Sequence, residues 1–180
     1  ALYSTTGTGG SSSTGVSPDV YGNTASTNGY STISDSSKSS TANITALQSA
    51  LSSTSYYSGT LDGDYGAQTI AAVEAFQTAK GLRVTGVAGP STQRLLYGGT
   101  SESGSYSKLQ VGSTGTAVKN LQYTLYELKY YDGNITGTYD QSTANAVMLF
   151  QEVNGITMDG VAGTETQRRL YSSNAIPCNI

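Results

Sequence analysis

Two stretches of this chain share one skeleton, Thr69-x-x-Ala72-Val73-x-x-Phe76-Gln77 and Thr143-x-x-Ala146-Val147-x-x-Phe150-Gln151. The likeness extends without a gap from residues 47–97 to residues 121–171, at a constant offset of 74 (121 minus 47). An internal repeat of this length indicates that each copy is one structural unit. The sequence therefore predicts two copies of one small unit in series.

Apolar residues within each copy recur every three or four positions, which is the spacing of one buried helix face. In the first copy this predicts helices over about 44–53, 67–80 and 91–97. In the second copy the predicted helices start at 115 or 116 and run through 128, then cover about 141–154 and 164–171. Glycine-rich connections lie between them, and glycine permits the positive φ of tight turns. The predicted fold class is mainly α, with two tandem three-helix domains that follow an extended Ser/Thr/Gly-rich segment.

Composition divides the rest of the chain. Residues 4–43 are dominated by Ser, Thr, Gly and Asn and have almost no apolar periodicity, so we expect a linker there. A second linker is predicted over 98–108, between a first unit at 44–97 and a second unit at 109–172. Residues 173–180 are expected to form a tail.

The lead-in to the second unit starts with Leu109 and Gly112. At the constant offset these positions hold Asp35 and Lys38, so the sequence predicts a degenerate lead-in to the first unit. Residues 1–3 resemble the ends of both units, which predicts that they are the end of a preceding repeat.

Composition also narrows the function. The 180 residues carry a net charge of −3, which does not supply the basic surface that nucleic acids require. No apolar run approaches the ~20 residues of a membrane span. The chain has no His, the commonest general base and metal ligand. Cys178 is the single cysteine, interpreted as an incidental thiol or as a link to another chain.

One pair of carboxylates suggests a glycosidase, Asp62 with Asp64. The second unit has Thr136 and Thr138 at the matching positions, so the pair is not part of the shared plan. An Asp-Gly step in a loop is more typical of a turn. We therefore predict a non-enzymatic protein with no metal and no cofactor.

Glycine spacing around the two Phe-Gln pairs completes a longer motif. Gly-x-x-x-Gly precedes each skeleton, and Gly-Val-Ala-Gly-x-x-Thr follows it at 86–92 and 160–166. This pattern resembles the peptidoglycan-binding domain of bacterial wall hydrolases, a non-catalytic three-helix module often found in tandem. The resemblance covers 44–97 and 109–171. It implies that the partner is peptidoglycan or a related glycan, and that the protein is extracellular or lies in the cell wall or at the cell surface.

Polar and aromatic side chains around the inter-helix loops are the candidate ligand contacts. Tyrosine faces stack on sugar rings, while hydroxyl and carboxylate groups bond to hydroxyls and amides. The candidates are Tyr57, Asp62, Tyr65, Gln77 and Arg83 in the first unit, and Tyr131, Asp132, Tyr139, Gln151 and Asp159 in the second. Two alternatives stay open: the tyrosines cover small cores, and the two glutamines bond to loop backbone.

Three departures distinguish the second unit: Thr136 stands for Asp62, Asp140 for Gly66 and Thr164 for Pro90. They predict a weakened or altered site in that unit.

Two functions fit these features. The first is a cell-wall targeting module whose two weak sites gain avidity together. The second is a structural subunit of an extracellular fibre or surface layer, in which copies contact one another head to tail. The triplets that begin at Asn43 and Asn134 match N-glycosylation acceptors, and the Ser/Thr tract suits O-linked sugar, so glycosylation is also predicted.

Overall fold

The computed structural model describes residues 32–34, 39–98 and 106–180. Within these ranges it contains six helices: α1 Thr41–Ser53, α2 Ala67–Ala79, α3 Pro90–Tyr97, α4 Thr116–Glu127, α5 Gln141–Val153 and α6 Thr164–Leu170. The only β pairing in the described part consists of isolated antiparallel bridges. The predicted fold class, mainly α with two tandem three-helix units, is confirmed.

Parts of the predicted organisation lie outside the described residues. These are the preceding-repeat end at 1–3, the linker residues 4–31 and 35–38, and residues 99–105 of the second linker. The division of the chain into linkers, units and tail remains a prediction.

The helix bounds follow local capping chemistry. α1 begins at Thr41, three residues before the predicted start, because Ser40 caps it: the Ser40 Oγ accepts a hydrogen bond from the Asn43 N–H at 3.2 Å. The ends of the other five helices lie within one residue of the predictions. In α3, Pro90 occupies the first turn, where its missing N–H costs nothing.

Each unit buries the apolar stripe that its helical spacing predicts. In the first unit Leu47, Val73 and Phe76 are buried, and their counterparts Leu121, Val147 and Phe150 are buried in the second. A tyrosine packs edge-on against each phenylalanine, with centroids 5.4 Å apart for Tyr56–Phe76 and 5.3 Å for Tyr130–Phe150. The two copies therefore have matching cores as well as matching motifs.

An apolar residue before the first helix also packs onto the first unit. Ile33 is 3% exposed, and it exchanges two backbone hydrogen bonds of 3.0 Å with Ala88. Leu109 makes the same bridge to Ala162, at 3.1 and 2.9 Å. Ala88 and Ala162 are 74 residues apart, whereas Ile33 and Leu109 are 76 apart. The prediction of a degenerate lead-in was wrong, because two extra residues move the apolar side chain out of the constant offset. Asp35 and Lys38, which the constant offset had matched, lie outside the described residues.

The two units pack against each other. Leu82, from the loop after α2, is part of the buried cluster of the second unit. Leu95 of α3 packs against both cores. The two units are therefore joined by a hydrophobic interface as well as by the chain.

We predict that Ile33→Ala lowers the free energy of unfolding of the first unit by about 2–5 kcal/mol. The substitution removes a buried side chain that lies outside the three helices and packs into their core. Chemical unfolding followed by tyrosine fluorescence measures the change. Leu61→Ala is the control, since Leu61 is 45% exposed. Equal stability of the two variants would mean that the Ile33 segment does not pack on the unit.

Candidate functional site

Four buried glutamines hold the loops that carry the predicted ligand contacts: Gln48 on α1, Gln77 on α2, Gln122 on α4 and Gln151 on α5. Each is at most 1% exposed. A carboxamide offers two donors and an acceptor, so one such side chain can satisfy several loop groups at once.

Gln77 clamps the loop before α3. Its Oε1 accepts from the N–H groups of Thr85 and Gly86, at 2.9 and 3.1 Å. Its Nε2 donates to the Val87 carbonyl at 2.8 Å and to the Thr92 hydroxyl at 3.1 Å. Gly86 has φ +70°, a conformation that disfavours other residues.

Gln151 repeats this clamp in the second unit. Its Oε1 accepts from the N–H groups of Asp159 and Gly160, and its Nε2 donates to the Val161 carbonyl at 3.0 Å. The hydrogen bonds in both units agree with the alternative in which these two glutamines bond to loop backbone.

Gln48 and Gln122 clamp the loop after the first helix of each unit. The Gln48 Oε1 accepts from the Gly63 N–H at 3.0 Å, and the Gln122 Oε1 accepts from the Gly137 N–H at 2.9 Å. The Gln48 Nε2 also donates to the Asp62 carboxylate at 2.8 Å. Sequence reasoning named neither glutamine as a site residue, although both belong to the repeated Leu-Gln pairs.

The four predicted tyrosines are buried: Tyr57, Tyr65, Tyr131 and Tyr139. Their hydroxyls donate to loop carbonyls at 2.7–2.9 Å. Burial raises the pKa of the Tyr139 phenol. Because protein covers these rings, the predicted stacking on sugar does not fit this arrangement. Their burial agrees with the alternative in which the tyrosines cover the small cores.

Three predicted carboxylates remain exposed: Asp62, Asp132 and Asp159. Hydrogen bonds from the Asp64 N–H and the Gln48 side chain lower the pKa of Asp62. The Asp159 Oδ1 accepts from Gln151 at 2.8 Å and from the Val161 N–H at 2.9 Å. Asp62 and Asp159 are thus both exposed and fixed in position.

Arg83 lies at the interface between the units. Its guanidinium pairs with Asp132, and its Nε donates to the Tyr126 carbonyl at 2.9 Å. The guanidinium carbon lies 4.4 Å from the centroid of the Tyr126 ring. Arg83 thus connects the first unit to the loop of Asp132, a role that sequence reasoning missed. Comparison of the two units could have indicated this role, because the second unit has Thr157 at the position that matches Arg83.

Glu127 is a second interface residue that sequence reasoning missed. Its carboxylate is buried at the start of α3, where it accepts from the Ser91 N–H at 3.0 Å and faces the Thr92 N–H at 3.5 Å. Negative charge is favourable at a helix N-terminus. A Cβ on Gly89 would overlap this carboxylate, so only glycine leaves room for it. Burial raises the pKa of Glu127 to about 7, against the lowering effects of the Ser91 N–H and the Arg94 charge.

Two open cavities lie on either side of α5. The Asp159 groove has a volume of about 310 Å³ and is lined by Gln110, Val111, Gln141, Ala144, Met148, Asp159, Gly160 and Val161. The Asp132 groove has a volume of about 370 Å³ and is lined by Tyr130, Tyr131, Asp132, Gly133, Ser142, Asn145, Ala146 and Leu149. Each groove has one of the predicted carboxylates in its wall.

The matching helix of the first unit presents different side chains. Ala67, Ala71 and Ala75 of α2 stand where α5 has Gln141, Asn145 and Leu149. The Gln68 side chain lies over Gly59, where a Cβ would overlap it. The surface around α5 thus differs from that around α2, but ligand binding by the ten predicted residues remains a prediction.

Among the described residues, no group of three or more His, Cys, Asp or Glu side chains is arranged to hold a metal ion. In the same part of the chain, no helix is both long and apolar enough to cross a membrane. Cys178 is buried, and its N–H donates to the Leu128 carbonyl at 2.9 Å.

The family model described as "Putative peptidoglycan binding domain" matches residues 40–96 and again residues 114–170. These matches cover more than half of the chain, which therefore belongs to this family. The resemblance inferred from the repeated motif is confirmed.

Three curated relatives are amidases by name. A "Probable N-acetylmuramoyl-L-alanine amidase" of Bacillus licheniformis is 34% identical over an aligned length of 128 residues, with 62% of this chain and 36% of the relative covered. The amidase CwlM of Mycobacterium tuberculosis is 36% identical over 110 residues, 59% of this chain and 27% of the relative. The amidase CwlL of Bacillus licheniformis is 32% identical over 131 residues, 61% of this chain and 36% of the relative. The chain thus spans about a third of the length of these relatives, and no solved structure matches it.

We predict that Gln151→Leu lowers the free energy of unfolding by roughly 2–5 kcal/mol, because the N–H groups of Asp159 and Gly160 lose their acceptor. Denaturant unfolding measures the loss. Gln68→Leu is the control, because Gln68 is exposed on α2. A loss no greater than that of the control would show that the clamp does not stabilise the loop.

We predict that the stability of the protein depends on pH through Glu127. Its folded-state pKa of about 7 lies above the ordinary 4.5, so the unfolded chain ionises first as pH rises. The stability that Glu127 contributes is greatest below about pH 4.5 and falls until pH exceeds 7, by about 3 kcal/mol at ~1.4 kcal/mol per pKa unit. Melting temperatures at pH 5 and pH 8 measure the fall.

The matched variant is Glu127→Gln, which keeps an acceptor for the Ser91 N–H and does not titrate. We expect its melting temperature to change much less between pH 5 and pH 8, whereas the exposed Glu152→Gln keeps the wild-type profile. The same fall in the wild type and in Glu127→Gln would assign the effect to another group.

Proposed function

We propose that this chain is a non-catalytic module that binds peptidoglycan in the wall or at the surface of a bacterial cell. The observation that carries the proposal is that two units of the peptidoglycan-binding family occur in series. Three similar proteins are N-acetylmuramoyl-L-alanine amidases by name, which supports a role of this chain at the cell wall.

A binding role also suits the residues. The chain has no His, so it cannot build the standard serine or cysteine triads, which use that base. The clamped loops instead present fixed carboxylates beside open grooves, as binding sites with a few placed polar groups do.

The interface between the units bears on avidity. Contacts of Arg83 and Glu127 fix one unit against the other, so two binding surfaces would meet the glycan mesh in a set orientation. Avidity then depends on whether the mesh matches that orientation.

The alternative function, a fibre or surface-layer subunit, needs a contact that each copy can repeat on the next. The contact between the two units uses Tyr123, Tyr126 and Glu127 of α4. At the matching positions α1 has Ser49, Ser52 and Ser53, which cannot supply the aromatic rings or the carboxylate. A second copy therefore cannot extend the chain through this contact, which favours the binding role.

Glycosylation stays part of the proposal as a modification. Asn43 is exposed in the first turn of α1, and Asn134 is exposed in the loop before Gly137. A sugar on either residue would not have to enter the core. An intact mass of this chain above its sequence mass of 18.6 kDa would support the modification, and an unmodified mass would remove it.

A pull-down with purified insoluble peptidoglycan tests the binding role. We expect the protein to be retained on sacculi, to be released by soluble peptidoglycan fragments, and to leave dye-labelled sacculi undissolved. Cellulose of equal surface area is the control for adsorption. Release of dye would overturn the non-catalytic assignment, and lack of retention would overturn the binding role.

The same sample tests the fibre alternative. Sedimentation velocity should give one monomeric species across a tenfold range of concentration. Ordered filaments in negative stain, together with no retention on sacculi, would favour the structural subunit instead.

A further inference from the structure

The helix α5 forms a ridge between the Asp159 groove and the Asp132 groove. Gln141, Ala144 and Met148 line the first groove, and Ser142, Asn145 and Leu149 line the second. Both sets come from one helix, so the grooves are two sides of one continuous surface.

Side-chain amides bridge this ridge. The Gln141 Nε2 donates to the Asn145 Oδ1 at 3.0 Å. This bond leaves the Gln141 Oε1 and the Asn145 Nδ2 without a protein partner among the described residues, and both residues are exposed. Gln110 adds a third carboxamide at the edge of the Asp159 groove. The surface therefore offers paired donors and acceptors that carry no net charge.

Apolar groups lie beside these amides. Val111, 57% exposed, and Met148 line the Asp159 groove, and Leu149 lines the Asp132 groove. Apolar surface of this kind favours the C–H face of a sugar ring, while the amides bond to its substituents.

The charges around the ridge exclude an acidic ligand. Neither groove is lined by Lys or Arg, and each has an aspartate in its wall. Asp140 at the start of α5 and the exposed Glu152 add further negative charge. Arg83 is near the Asp132 groove, but its guanidinium is already paired with Asp132. A phosphate or a free carboxylate would meet repulsion here.

We propose that the α5 ridge and its two grooves bind an uncharged strand of N-acetylated aminosugars. This inference rests on the proposed function and assigns recognition to the glycan of the wall rather than to its acidic peptide or polyphosphate components. Each acetamide supplies one N–H donor and one carbonyl acceptor, which complement the carboxamides of Gln141 and Asn145.

The width of the α5 ridge determines how long a ligand must be to contact both grooves. The two grooves are lined by different side chains of α5, so a ligand that contacts both must cross the helix surface between them. A single sugar reaches one groove, whereas a short oligosaccharide spans both. Affinity should therefore rise steeply from the monosaccharide to the tetrasaccharide.

The first unit provides a natural comparison. At the positions of Gln141 and Asn145 it has Ala67 and Ala71, so α2 lacks the amide bridge. The double variant Gln141→Ala/Asn145→Ala gives α5 the residues of α2 without touching the core. Gln68→Ala is the matched control, because it removes an exposed amide from α2.

The experiment measures binding of tetra-N-acetylchitotetraose by ¹H–¹⁵N chemical-shift titration and by competition with sacculi, using the full chain. We expect shifts that centre on α5 and a loss of affinity of roughly tenfold in the double variant, as the removal of two hydrogen-bonding groups implies. Gln68→Ala should match the wild type. Amide spectra of all variants report whether the fold is kept.

The outcomes separate the two proposals. Retention on sacculi with no effect of the double variant, or with shifts centred elsewhere, overturns the α5 ridge and leaves the binding role standing. Displacement of the oligosaccharide by a soluble polyphosphate also overturns the inference, since an anion would then share the surface. Binding of the oligosaccharide at α5 without retention on sacculi supports the ridge and overturns the role in wall binding.

Discussion

Satisfaction of loop backbone groups by buried glutamine side chains is the constraint on which the rest of this structure depends. Units of roughly sixty residues have little core to stabilise their irregular loops, and a buried N–H without an acceptor is costly. Gln48, Gln77, Gln122 and Gln151 meet the need because a carboxamide donates and accepts at once. A leucine could fill the same volume but could neither donate nor accept a hydrogen bond. A glutamate could accept hydrogen bonds but could not donate them. The clamped glycines have positive φ, and the tyrosine hydroxyls bond to carbonyls of the same loops.

The helices could be predicted from the sequence because their determinants are local. Apolar spacing, an N-cap serine and an N-terminal proline all act within a few residues, and the predicted bounds agree closely with the observed ones. The bridge from Ile33 to Ala88 could not be predicted in this way. It joins residues far apart in the chain, and a shift of two residues conceals its likeness to Leu109 with Ala162. A constant offset identifies shared helices but not a lead-in of different length.

Only part of the candidate site could be predicted from the sequence, because the residues that the two units have in common are mainly those that the fold requires. Residues common to both units, such as Tyr57 with Tyr131 and Gln77 with Gln151, are buried and serve the loops. A shared polar residue therefore indicates a requirement of the fold before it indicates a ligand. Residues that differ between the units lie either on the outer surface or at the buried contact between the units. Gln141 and Asn145 differ from alanines on α2, and Glu127 differs from Ser53 on α1. Exposure and partners of such residues come from tertiary packing, which periodicity does not reveal.

These differences give the two units separate tasks. The first unit directs its α3 end towards α4, where Gly89 leaves room for the Glu127 carboxylate. Arg83 then reaches across to Asp132 in the wall of one groove. Because that contact comes from the first unit, the geometry of the Asp132 groove depends on how the units pack. In the proposed binding role, the first unit therefore supports the Asp132 groove that the second unit presents.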